Sequence, residues 1–168
     1  GKAGEIQANP GQANHLASVG KLFTATLICM LHDKGQLSFD DKIVKYLDTD
    51  LMHGLHGLHV YKDKDYSDDI SIKHLLKQTS GLNDVFFHLL KKMLGDPKLE
   101  MTVKDALEWG KKNLQPVAMP GKKHFYTDTN YYLLGLIIEK ITKKPFHEAV
   151  HEMIFDPLKM DNAYINGF

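Results

Sequence analysis

A chain of 168 residues is one domain's worth of polypeptide, long enough to bury a substantial core and too short for two ordinary domains. Its 21 basic and 21 acidic residues cancel, so no net field steers it toward nucleic acid or an anionic membrane surface; every basic residue is lysine, which leaves no guanidinium for bidentate clamping of carboxylates or phosphates. The lone Cys29 excludes a disulfide within the chain, and no apolar run is long enough to cross a bilayer.

Residues 1–14 are polar and rich in Gly, Asn and Gln, which reads as a loop or the frayed end of a strand; residues 15–168 read as a helical region of one domain. The opening Gly-Lys-Ala-Gly has neither an initiator methionine nor a secretory apolar core, so the segment is expected to begin inside a longer protein. The first helix is predicted from about Ser18 to Lys34, stopping at Gly35. Between Leu22 and Leu31 it carries no charge and its apolar side chains cover nearly the whole circumference, the pattern of a helix buried all round, with Cys29 as a small interior hydrophobe.

Residues 36–69 read as mostly irregular, with a short segment Lys42–Leu47, a solvated loop containing His53, His56 and His59, and a mixed-charge surface turn over Asp63–Asp69. Ser71 is placed to cap a short helix Ile72–Gln78, ended by Thr79-Ser80-Gly81. Asn83 or Asp84 starts a helix through Leu94, closed by Gly95 with Pro97 beyond. Thr102 and Asp105 form a capping-box pattern that opens a helix to about Asn113. After the Pro120-Gly121 turn come an apolar helix Asn130–Ile141 and a last helix from Pro145 to about Phe155. Helices dominate, and alternating strands are almost absent.

Lys21 demands a reason. It sits in the first turn of an apolar helix, where burial and the positive end of the helix dipole both disfavour a cation. Ser18 lies three residues earlier on the same face, within side-chain reach. A lysine whose pKa is lowered by desolvation can take the proton of a serine hydroxyl, and a backbone N–H at the helix start can face a developing oxyanion, so the pair reads as an activated nucleophile. The alternative is that Ser18 is an N-cap and Lys21 snorkels to solvent. A Tyr-x-acid pattern is common in this chain (Tyr46/Asp48, Tyr61/Asp63, Tyr66/Asp68), but Tyr126/Asp128 lies between a Pro-Gly turn and an apolar helix, where a loop can hold side chains into a cleft. A phenol beside an ammonium could relay the serine proton; the plainer role for Tyr126 is a ring packed at a helix entrance.

Four blocks, His15–Ala25, Ile72–Leu82, Pro120–Glu139 and Ile154–Met160, resemble in wording and order the serine β-lactamase family, in particular its class C-like branch with D-Ala-D-Ala carboxypeptidases, esterases and aminopeptidases. The resemblance, which includes the penicillin-binding proteins, implies the helical portion of the β-lactamase/transpeptidase-like α/β fold: mainly α here, with most of the central antiparallel sheet missing from the segment. It implies an acyl-enzyme hydrolase of amides, lactams or esters, with Ser18 as nucleophile, Lys21 as base, Tyr126 as proton shuttle, and Asp128, where many relatives carry Asn, holding the substrate amide or the lysine. Gly20 replaces a frequent Thr, and Gln78 stands where His is common, a position that looks structural.

The family's third motif, Lys-Thr-Gly or His-x-Gly on a strand lining the cleft, should lie downstream of Met160, whereas the segment ends at Phe168; Lys2-Ala3-Gly4 reads as the tail of an early strand instead. Losing one oxyanion donor costs about 10²- to 10³-fold in rate, so the segment alone is expected to have little or no activity. Acyl transfer by this route needs no cofactor and no metal. A small-molecule or peptide substrate is expected, along with self-association through an exposed sheet-facing surface and, by resemblance alone, a bacterial envelope or secreted location.

Two readings from other classes stand beside this one. A non-catalytic binding or sensor domain could use the same scaffold. His147-Glu148-Ala149-Val150-His151 also matches a zinc-protease signature, but only Asp156 and Asp161 follow Glu152 as a third ligand, and Phe146, Ala149, Val150, Met153 and Ile154 claim the helix face.

Overall fold

A computed structural model describes residues 2–4, 6–7, 9, 12, 14–47, 54–96, 99 and 101–165. Local capping chemistry places most of the helices. After a two-residue hairpin of β1 (Lys2–Ala3) and β2 (Ile6–Gln7), a 3-10 turn Ala17–Gly20 runs directly into α1 (Lys21–Asp33). A second hairpin joins β3 (Val60–Tyr61) to β4 (Lys64–Asp65), followed by α2 (Ile72–Leu76), α3 (Val85–Gly95), α4 (Val103–Asn113), α5 (Asp128–Thr142) and α6 (Phe146–Val150). The Ser71 hydroxyl accepts from His74 N–H and the His74 ring returns the contact at Ser71 N–H; Thr102 and Asp105 make the same reciprocal box, and Asp84 Oδ1 accepts from Phe86 N–H at 2.7 Å. α6 widens into one π turn, His151–Phe155, where a continuous α-helix was expected.

The core lies where α1 and α5 cross, flanked by α2 and α6. Leu27, Ile28 and Leu31 of α1 join Leu133, Leu134, Ile137 and Ile138 of α5, with Ile72, Leu75, Val150 and Phe155 closing the cluster. Each of these larger side chains contributes about 1.5–3 kcal/mol by leaving water. Phe23 meets the Phe155 ring edge-on at 5.2 Å, tying α1 to the π turn. A smaller cluster of Val85, Leu89 and Ala106 joins α3 to α4. Among the described residues the only sheets are the two hairpins, and no helix is long and apolar enough to cross a membrane.

Several expectations change. α1 buries one face only: Leu22 is 64% exposed and Cys29 is exposed as well. These two positions are seven residues apart and so share a face, opposite the one that meets α5, and nothing among the described residues covers it. His59 is not on a solvated loop but fully buried, with its ring against Tyr66; His53 lies outside the described residues. Burial pushes the His59 pKa down and keeps the ring neutral. The mixed-charge run begins in the turn of a hairpin, where Lys62 and Asp63 both take positive φ, and ends in a 3-10 turn, Ser67–Asp69; between them Asp65 turns inward to accept from Gly57 N–H at 2.6 Å and Ser67 N–H at 2.8 Å.

Gly110 lets α4 pack tightly against α3, because a Cβ there would lie 2.4 Å from Val85 Cγ1. Alanine would gain about 1 kcal/mol of helix propensity. Overpacking against a side chain with a stiff χ1 costs about 1–3 kcal/mol, which is the larger effect. Gly110→Ala is therefore expected to destabilise by roughly 1 kcal/mol, seen as a lower urea midpoint at unchanged slope; a raised midpoint would refute the close packing.

Candidate active site

Ser18 sits in a tightened turn behind a strained residue. Ala17 takes a left-handed backbone (φ 46°), which costs a residue with a Cβ about 1–3 kcal/mol and is the kind of strain that persists at functional sites. The 3-10 winding that follows has three residues per turn, so side chains at i and i+3 eclipse. Ser18 and Lys21 are thereby drawn into line, closer than in an α turn, and Lys21 Nζ donates to Ser18 Oγ at 3.0 Å. Neither the 3-10 turn nor α1 has a side-chain cap at its start, so Ser18 is not an N-cap and Lys21 does not snorkel into water.

The ammonium instead faces the start of α5. It pairs with the Asp128 carboxylate, lies 5.1 Å from the centre of the Tyr126 ring and 5.6 Å from that of Tyr131, and both partners of the ion pair are largely covered, with 17% and 15% of their side chains exposed. Burial draws the Lys21 pKa down, but hydrogen bonds to Asp128 and Tyr126 and the Asp128 charge outweigh it, and the net shift is upward. This reverses the expected direction. Desolvation acts as anticipated; the anion that overrides it comes from a distant part of the chain.

Asp128 occupies the first turn of α5, where the helix dipole favours a carboxylate. Thr127, fully buried, caps that helix through Thr129 N–H at 3.1 Å. The segment is then laced to residues 78–85. Thr127 Oγ1 and Thr129 Oγ1 donate to Asn83 O at 3.2 and 2.8 Å, Asp128 N–H donates to Asp84 Oδ2 at 3.3 Å, and Val85 N–H donates to Thr129 Oγ1 at 3.1 Å. On the other side Gln78 Oε1 accepts from Thr127 N–H at 3.0 Å. Ser18, Lys21, Tyr126 and Asp128 are thus brought together from two helix starts, and Gln78, Asn83 and Asp84 are the supports that sequence reasoning did not assign to the site. The Thr-Ser-Gly-Leu block between them was the available signal.

The zinc alternative finds no site. His147 is on α6 while His151 opens the π turn, near Asp156 (Nδ1 to Oδ1, 3.7 Å), and among the described residues no group of three His, Cys, Asp or Glu side chains could hold a metal ion.

The sequence model of the β-lactamase family matches residues 1–167. The chain is 27% identical to Protein flp of Staphylococcus aureus (strain MW2), over 95% of its own length and 29% of that protein. It is 28% identical to a putative D-alanyl-D-alanine carboxypeptidase of Escherichia coli (strain K12), over 96% of its length and 36% of the relative. Among solved structures it superposes on a D-stereospecific amidohydrolase from Streptomyces sp. with a TM-score of 0.73 and 28% identity, covering 88% of this chain and 43% of the other. The chain therefore spans about a third of the length of these curated relatives (29% and 36%).

With its folded pKa raised, Lys21 contributes stability that is complete below the ordinary lysine value and is lost as pH rises through the folded value. Asp128→Asn removes the carboxylate charge that helps to raise the Lys21 pKa, while burial continues to lower it. The Lys21 ammonium midpoint, read by ¹⁵N-detected NMR, is expected to fall in that variant; an unchanged midpoint would show that the ion pair does not form.

Proposed function

The chain belongs to the β-lactamase family, and on that premise we propose that it carries the nucleophilic half of a serine hydrolase in which Ser18 is acylated, Lys21 is the general base and Tyr126 relays the proton to the leaving group. The observation that carries this reading is that one ammonium donates to the Ser18 hydroxyl, pairs with the Asp128 carboxylate and lies 5.1 Å from the centre of the Tyr126 ring. At rest the ammonium donates to Ser18 Oγ, so the acting base is the neutral amine. A substrate N–H that engages Asp128 draws its charge away from Lys21 and removes what keeps the lysine protonated. The amine then takes the Ser18 proton as Oγ attacks the carbonyl, and the oxyanion faces the Ser18 N–H at the start of the turn. The proton passes through Tyr126 to the departing amine or alcohol, and water completes the cycle by attacking the acyl ester.

The substrate class is a small-molecule or peptide amide, lactam or ester. A carboxypeptidase and an amidohydrolase whose names both specify D-configured substrates favour an amide next to a D-residue. Exposure to an excess of a p-nitrophenyl ester or a fluorescent penicillin, followed by peptide mass mapping, is expected to show one slowly accumulating acyl adduct on Ser18. Ser18→Ala should abolish it. An adduct that survives in that variant, or an unmodified wild-type chain, would overturn the assignment.

We also propose that the uncovered face of α1, with Leu22 and Cys29 and the neighbouring Leu16 and Val19 at 53% and 61% exposure, drives self-association of this chain. Light scattering should give a mass above the monomer that falls toward it in Leu22→Lys. A monomer at all concentrations would dismiss the idea.

A further inference from the structure

We infer that Gln78 is a positioning residue that fixes Tyr126 against Lys21 by holding the residue on each side of it. The Gln78 carbonyl accepts from Phe125 N–H at 2.8 Å, and its side-chain Oε1 accepts from Thr127 N–H at 3.0 Å. The same Oε1 accepts from Asn130 Nδ2 at 2.5 Å, and Asn130 Oδ1 accepts from the Ser80 hydroxyl at 2.5 Å, so the clamp is itself anchored in the first turns of α5. Tyr126 lies between the two clamped amides and is 45% exposed, so ring burial does little to orient it. What orients it is the backbone on either side.

Gln78 carries two costs that a merely structural residue would avoid. It stands just past the C-terminus of α2 with φ at 57°, where Thr79 N–H bonds to His74 O at 2.8 Å and Gln78 N–H bonds to Leu75 O at 3.1 Å. That is a Schellman ending, whose left-handed position is usually glycine because a Cβ is disfavoured there. Gln78 Nε2 is also buried without a partner, in a side chain only 7% exposed. Glycine would close α2 without the backbone strain or the orphaned amide. It would lack the oxygen that reaches Thr127 and Asn130, and that oxygen is the feature the two costs support.

The inference deepens the hydrolase reading and rests on it for its kinetic consequence, but the positioning itself can be read without catalysis. Gln78→Gly supplies the residue the turn prefers and keeps the backbone carbonyl that holds Phe125 while deleting the side-chain arm that holds Thr127, and Gln78→Glu keeps an acceptor oxygen toward Thr127 and Asn130. In the intact chain the nuclear Overhauser contact between the Tyr126 ring and the Lys21 side chain should be lost in Gln78→Gly, with the melting temperature held within a few degrees, and restored in Gln78→Glu. Ser18 acylation by the activated ester should slow about 100-fold in Gln78→Gly, the loss expected when a reacting group is misplaced by an ångström, and recover in Gln78→Glu. A Tyr126–Lys21 contact that survives in Gln78→Gly overturns the inference. A wild-type chain with that contact but no Ser18 adduct would sink the hydrolase reading and leave the positioning role standing.

Discussion

The ion pair between Lys21 and Asp128 joins the first turn of α1 to the first turn of α5, and the rest of the site is arranged around it. Two positive helix ends converge there. A cation at the first is opposed by its own helix, and an anion at the second is favoured by its helix; placed side by side, the anion compensates the field that the cation would otherwise meet. The same contact raises the Lys21 pKa and keeps the lysine charged.

Such a pair needs rigid supports, since a small displacement separates the groups. The core supplies the coarse placement by fixing α1 across α5 through Leu27, Ile28, Leu134 and Ile138. The fine placement comes from polar contacts in the 78–85 segment, where buried Thr127, Thr129 and Asn130 are each tied to a partner on Gln78, Ser80 or Asn83. Apolar packing is non-directional and tolerates slippage, whereas hydrogen bonds at fixed distances do not. The chain therefore uses packing for the architecture and a buried polar network for the last ångström. Left-handed residues occur at both ends of this arrangement, Ala17 before the serine and Gln78 at the clamp itself, so strain is concentrated where geometry matters most.

Features whose physics is local were legible before any coordinates. Ser71, Asp84 and Thr102 each start a helix because a short side chain can reach an amide two or three residues on, and that reach is a property of the adjacent sequence. The hairpin at residues 60–65 was missed because Lys62 and Asp63 occupy left-handed turn positions that carry no Gly or Asn-Gly signal. His59 was misplaced for a related reason: its neighbours Gly54 and Gly57 suggest an open loop, and only the packing against Tyr66 and the Ser80-Gly81 turn encloses it.

The sequence by itself determined the helical register, the caps and the association of Ser18 with Lys21, since all of these depend on residues within a turn of one another. It also marked Tyr126 and Asp128 by their place between a turn and a helix. What only the tertiary structure decided is the charge state of Lys21, the exposure of one face of α1 and the part played by Gln78. Each depends on which distant group lies a few ångströms away, and electrostatic energies and burial both follow distance in space rather than separation along the chain.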